Sequence, residues 1–213
     1  MVLPLIPVAA LAIGAVAIVA AITTALGAFD GAKGKTLVLL GPKGTGKTTW
    51  ATYLSTRVIP DVNKHTNVTE TSKAEVQLKN LELKFKVVDN SGSESAIGQW
   101  KKVSAGADRI YYFVNASQLT DDRHIERIHK DARIMSLWPI LDTPITLMVT
   151  HADRDRFGAM GDMDSIKVRP DVVEIRQLLG ASEVVVGRQD TEEGRRDFTM
   201  EGLDPFRKKG NQK

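Results

Sequence analysis

Two regimes of hydrophobic patterning divide the chain. Residues 2–29 carry no charged side chain, and residues 7–28 form one Ala/Ile/Leu/Val/Gly-rich run. As a helix, such a run crosses a hydrocarbon core of about 30 Å. Pro4 and Pro7 fall at its start, where a missing backbone N–H is tolerated, and Asp30, Gly31 and Gly34 close it. The pattern predicts a transmembrane anchor over residues 1–30. A cleaved secretory signal needs a basic leader and a shorter apolar stretch, and here only the terminal amine precedes the run. Lys33, Lys35 and Lys43 all lie on its C-terminal side. The positive-inside bias therefore predicts a single-pass protein with its N-terminus out and the rest facing the cytoplasm.

From residue 31 to 206 the pattern changes to short β-branched runs alternating with amphipathic stretches, as in an α/β domain built on a mostly parallel sheet. Six strands are expected: Thr36–Leu40, 75–78, 83–88, 110–114, Ile145–Thr150 and Glu183–Val186. Only Asn80 and its neighbours separate the second and third, so that pair is expected as an antiparallel edge hairpin, with helices flanking a six-stranded sheet. The clearest helix has Thr120 as its N-cap, places Ile125, Ile128, Ala132 and Met135 on one face and stops at Trp138-Pro139. A second spans Pro170–Leu179 and closes at Gly180. Residues 207–213 are a polar, basic tail.

Composition narrows the function classes. The 213 residues are 42% hydrophobic and 26% charged, enough for one medium domain with a core but not for two large ones. A net charge of +3 leaves no broad basic face, so nucleic acid is not an expected partner. Zero cysteines exclude disulfides, thiolate zinc sites and cysteine nucleophiles.

The chemistry is concentrated in Gly41-Pro42-Lys43-Gly44-Thr45-Gly46-Lys47-Thr48, placed directly after an apolar strand and before a helix. Phosphates need several donors converging at close range. A Gly-rich turn lets successive backbone N–H groups wrap the β-phosphate, and the following helix adds its positive end. Lys47 is expected to bridge the β- and γ-phosphates and Thr48 to ligate magnesium. Behind this loop, Asp89 ends an apolar strand where it can hold the magnesium shell, and Gly92 follows with an N–H able to meet a γ-phosphate. Another strand ends in Thr150-His151-Ala152-Asp153. A carboxylate at Asp153 can accept from the N1–H and exocyclic amine of guanine, whereas adenine presents an acceptor at N1.

With these segments in order, residues 36 to about 206 resemble the Ras-like small GTPases within the P-loop NTPase fold. The nearest likeness is to the Arf/Sar branch and to the membrane-anchored β subunits of the signal recognition particle receptor. The likeness rests on 41–49, Thr69, 89–92, Trp100, 111–115 and 150–153. Residues 201–204 are similar to the opening of the family's last helix, and Ser91 to Ser95 is closer to the receptor subunits. The resemblance implies a switch that binds GTP and GDP with Mg2+ and recruits a protein partner. In it, Gly41, Lys43, Gly44, Thr45, Gly46, Lys47, Thr48 and Thr49 cradle the phosphates, Thr150, His151 and Asp153 face the base, and Thr48, Thr69 and Asp89 surround the metal. Lys47, Thr69 and Gly92 serve the reacting phosphate. Thr66, Thr69 and Thr71 compete for the metal, and the family's spacing to Asp89 selects Thr69.

The departures carry as much information. Ser93 stands where most members keep the glutamine that orients water, so unaided turnover is expected to be slow. Lys43 occupies a loop position where relatives carry a small or acidic residue, and it is either a cation over the γ-phosphate or a solvated side chain. His151 replaces a lysine, Thr150 an asparagine, and 187–191 lacks the family's last base-contacting triplet. A subunit that holds nucleotide without turnover and anchors a partner to the bilayer is the alternative. An ATPase or nucleoside-phosphate kinase is disfavoured by Asp153.

Overall fold

A computed structural model of the chain describes residues 30–32, 34–56, 84–87, 100–138 and 142–207. Within them β1 (Thr36–Leu40), β2 (Lys84–Val87), β3 (Arg109–Asn115), β4 (Ile145–Thr150) and β5 (Glu183–Val186) form a five-stranded sheet ordered β2-β1-β3-β4-β5. Every pairing is parallel. The expected strand at 75–78, and with it the antiparallel hairpin, lies outside the described residues. So does the apolar stretch 1–29. Among the described residues no helix is long and apolar enough to cross a membrane.

Side-chain alternation along the strands builds two cores, as a parallel sheet covered on both faces requires. Leu37, Leu39, Tyr111, Phe113, Met148 and Val185 face one layer, closed by Trp50 and Leu54 of α1 (Lys47–Thr56) and by Phe198 and Leu203. Val38, Leu40, Tyr112, Val114, Leu147 and Val149 face the other, closed by Trp100, by α2 (Asp122–Ser136) and by Val172 and Ile175. Two short helices, α3 (Arg156–Ala159) and α4 (Met163–Lys167), lead into α5 (Pro170–Leu179), and α6 (Glu192–Leu203) ends the domain. Polar contacts fix α6 across the first layer. The Trp50 indole N–H donates to Thr199 Oγ1 at 3.1 Å and the Tyr111 hydroxyl to the Gly202 carbonyl at 2.8 Å.

Two local expectations are corrected. The cap of α2 is Asp121, not Thr120: its carboxylate accepts from the Arg123 N–H at 3.0 Å, where the helix dipole also favours a negative charge. Residues 201–204 close the last helix rather than open it. That helix starts nine positions earlier, at Glu192, because the Thr191 hydroxyl oxygen accepts from the Gly194 N–H and Glu192 and Glu193 occupy the positive end. Two other local expectations hold: α5 ends at Gly180, which adopts φ 62°, and Ile128, Ala132 and Met135 are buried, with Ile125 half-buried.

Strand order reverses at β1. The chain moves from β1 outward to β2, then returns to the opposite side as β3. Open parallel sheets bind ligands at the carboxyl ends of the strands flanking such a switch point, and the glycine-rich loop leaves β1 there.

Candidate functional site

The loop Gly41–Gly46 joins β1 to α1 and is positioned by contact with β3. Gly41 adopts φ 129°, and a Cβ built on it would stand 2.3 Å from the Phe113 carbonyl oxygen, so no larger residue fits. Gly44 and Gly46 also have positive φ, at 79° and 82°. Thr45 is buried and its hydroxyl donates to the Pro42 carbonyl at 2.8 Å, folding the loop on itself. Lys47, 2% exposed, sends its ammonium back into the loop, donating to the carbonyls of Gly41 at 2.9 Å and Pro42 at 2.6 Å. A cation is thus fixed at the centre of a turn that opens onto a helix N-terminus, whose first amides have no intrahelical acceptor. The side chains of Lys43 and Thr48 are exposed and Thr49 is half-buried. This is a fitting cradle for a phosphate group.

Thr69, Asp89 and Gly92, with Ser93, lie outside the described residues. Of the three expected magnesium ligands only Thr48 is described, at the first turn of α1, where a hydroxyl can reach a metal beside a bound phosphate. Among the described residues no group of three or more acidic or histidine side chains is set to hold a metal ion.

The residues expected at the base meet the glycine-rich loop directly. Thr150, fully buried at the end of β4, places its Oγ1 at 2.9 Å from the Thr45 carbonyl, 3.0 Å from the Val114 carbonyl and 2.9 Å from His151 Nδ1. Its hydroxyl therefore joins three neighbouring segments instead of facing solvent. His151 follows with φ 54°, the one positive-φ residue other than glycine among those described. Burial, and next the Arg154 guanidinium, push the His151 imidazole below the usual histidine range, with Asp153 opposing. Asp153 sits in the turn Ala152–Arg154, its carboxylate largely covered and 3.7 Å from Arg154 Nε. The turn is held below by Asp155, which accepts from the Phe157 N–H and pairs with Arg169, itself clasped by Asp171.

Two residues of this region were not singled out by sequence reasoning. Gln189 and Arg195 are both buried, and the Arg195 guanidinium donates to the carbonyls of Gln189 and Asp190. The Ala152 N–H donates to the Gly187 carbonyl at 3.3 Å, so the loop after β5 lies beside the Asp153 turn. The only signal in the sequence was position, since this is the loop where a base contact was expected. A separate concavity of about 820 Å3 runs along α2, and none of its lining residues belongs to the phosphate loop or to residues 150–153.

No protein-family model matches the sequence, and no curated protein matches it. Among solved structures, the ADP-ribosylation factor-like GTP-binding protein, or small COPII coat GTPase Sar1, of Encephalitozoon cuniculi in complex with GDP is similar to this chain. The TM-score is 0.55 and the identity 14%, with 90% of this chain and 93% of that one covered. At that identity the likeness speaks for architecture alone, and the architecture agrees with the parallel sheet, the switch point and the glycine-rich loop: the chain has the fold of the Arf/Sar-type small GTPases.

Proposed function

We propose that the chain is a membrane-anchored guanine-nucleotide switch, tethered through residues 7–28 with its nucleotide domain on the cytoplasmic side, binding GTP and GDP with Mg2+ and recruiting a protein partner. The observation that carries this reading is the junction at the ends of β1 and β4. There the Thr150 hydroxyl lies within hydrogen-bonding distance of the Thr45 carbonyl, so the phosphate loop and the Asp153 turn are one unit. In this reading the loop amides and the N-terminus of α1 bind the β-phosphate. The Lys47 ammonium exchanges its loop carbonyls for phosphate oxygens, and Asp153 accepts from the guanine N1–H and amine. Thr48, Thr69 and Asp89 would hold Mg2+, which supplies charge neutralisation for the transferred phosphate. Ser93 in place of glutamine favours slow turnover, and a partner that supplies the missing group would accelerate it. The same serine favours the second reading, a subunit that keeps its nucleotide and serves as an anchor.

Competition binding on the full-length chain in detergent micelles tests the first reading. GDP and GTP are expected to displace a fluorescent GDP at concentrations about 100-fold below those of ADP and ATP. Asp153→Asn should reverse the preference toward xanthine nucleotides. Equal affinity for adenine nucleotides would refute the proposal.

A further inference from the structure

Only residues 30–35 separate the uncharged stretch 2–29 from the start of β1 at Thr36, and they are not a free tether. Asp30–Ala32 form a turn folded onto the end of the domain. Ala32 is fully buried, and a Cβ built on Gly31 would stand 2.5 Å from the Phe206 carbonyl oxygen. A 3-10 turn rises about 2 Å per residue and an extended chain about 3.5 Å, so residues 30–35 reach at most about 16 Å. The headgroup layer takes up about 6 Å of that. A chain anchored through residues 7–28 therefore holds the amino ends of its strands close to the bilayer, and the glycine-rich loop lies at the other end of β1.

The amino end also carries the most exposed large hydrophobic side chain among the described residues, Leu137, 81% exposed and directly after α2. The strand starts place it there. The Asp108 N–H donates to the Thr36 carbonyl at 2.8 Å and the Ile110 N–H to the Pro144 carbonyl at 3.0 Å. Ile110 and Ile145 then line a concavity of about 530 Å3 with Met135, Leu179 and Trp138, the neighbour of Leu137. An exposed leucine beside an apolar hollow gains by leaving water, and the boundary between headgroups and acyl chains accepts such a side chain.

We infer that Leu137 and the rim of this hollow form a second membrane contact, seated in the interface of the same bilayer that holds residues 7–28. The inference rests on the membrane-anchored reading above and adds an orientation to it. The turn after α2 meets lipid, and the first turn of α6, which follows β5 at the opposite end of the sheet, faces water.

The chain has no cysteine, so single nitroxide labels can be placed without background. Full-length Leu137→Cys, Glu193→Cys and Ala17→Cys are each reconstituted at one chain per phosphatidylcholine–phosphatidylserine nanodisc. Power-saturation electron paramagnetic resonance reads how accessible each label is to oxygen, which concentrates in lipid, and to a water-soluble nickel chelate. The side chains of Leu137 and Glu193 are both exposed, so neither substitution opens a core. The label at 137 is expected to match the label at 17, with oxygen favoured over nickel, and the label at 193 to show the reverse. A water-like label at 137 beside a lipid-like label at 17 overturns the inference and leaves the anchor standing. Protection of 137 from both reagents also overturns it, by placing protein rather than lipid on the rim, and so does a lipid-like label at 193. Water-like labels at both 17 and 137 overturn the inference and the anchored reading together.

Discussion

Thr150→Val keeps the β-branched shape and deletes one oxygen. In the native protein that oxygen lies against the Thr45 and Val114 carbonyls at 2.9 and 3.0 Å, with all three residues fully buried. Water cannot replace the lost donor without opening the junction. Leaving a buried acceptor short of its donor costs about 1–3 kcal/mol, and 1 kcal/mol moves the melting temperature of a domain this size by about 2–4 °C. The nucleotide-free melting temperature should therefore drop by about 2–12 °C, read by circular dichroism. The junction also makes a second, separable prediction for GDP affinity measured by calorimetry. Thr150→Ser keeps the hydroxyl and loses a methyl group, at a similar stability cost of about 1 kcal/mol. If the hydroxyl holds the phosphate loop in register with the Asp153 turn, the valine variant loses GDP affinity while the serine variant keeps most of it. Equal losses for the two variants would mean that packing, not the hydroxyl, organises the site.

Two further outcomes follow from the geometry. Burial holds the folded-state pKa of His151 below its ordinary value of 6.5, so as pH falls the unfolded chain takes up the proton first. The stability of the neutral, folded imidazole is complete above that value and is lost as pH falls from it toward the lower folded pKa. Wild type should lose more stability than His151→Asn between pH 7.5 and 5.5 in urea titrations, and parallel losses would exclude His151 as the source. Gly41→Ala places a Cβ 2.3 Å from the Phe113 carbonyl, whereas Gly44→Ala meets nothing within 4 Å and adds only the strain of φ 79°. Urea unfolding should show a loss of about 1–2 kcal/mol for Gly44→Ala and more than about 3 kcal/mol for Gly41→Ala. Similar values for both would contradict the close approach of the loop to β3.

Much of this fold is readable from local pattern. Thr36–Leu40, Ile145–Thr150 and Glu183–Val186 appear as strands with the expected bounds, because parallel strands covered by helices are short, continuous apolar runs with polar breaks at both ends. The span of α5 was set by Pro170 at its start and Gly180 at its end, two residues whose backbone preferences act locally. The last helix was misread because 201–204 were placed by their likeness to the opening of the family's last helix, while Gly202 lies near its C-terminus. A Cβ there would meet Met148 and Trp50 at 3.0 and 3.4 Å, so the glycine answers to tertiary packing that no window of sequence contains. The site divides along the same line. Gly41–Thr48 declares itself because a phosphate loop needs fixed residues at fixed spacing. That Thr150 points inward and that Gln189 has no internal partner among the described residues depend on which loops become neighbours at the sheet's edge.

That neighbourhood also bears on the proposed site, which has a threonine at the end of β4. Asn115, the register partner of Thr150 on β3, has its amide oxygen turned into its own loop, accepting from the N–H and hydroxyl of Ser117. That oxygen is taken within the protein. The loop after β5 lies beside this end of the sheet, where the Ala152 N–H donates to the Gly187 carbonyl, and it is stiff. Arg195 supplies the stiffness: its guanidinium is 2% exposed, and among the described residues it donates to the carbonyls of Gln189 and Asp190 rather than to a carboxylate. A buried cation held by carbonyls alone recovers little of its desolvation cost, so its contribution lies in geometry more than in stability. In the proposed switch, a loop fixed beforehand would spare binding the entropy of ordering it. On this argument, looping the backbone through Arg195 and bridging it through Thr150 are two halves of one arrangement. The hydroxyl keeps the phosphate loop and the Asp153 turn together, and the arginine keeps the Gln189 amide beside them.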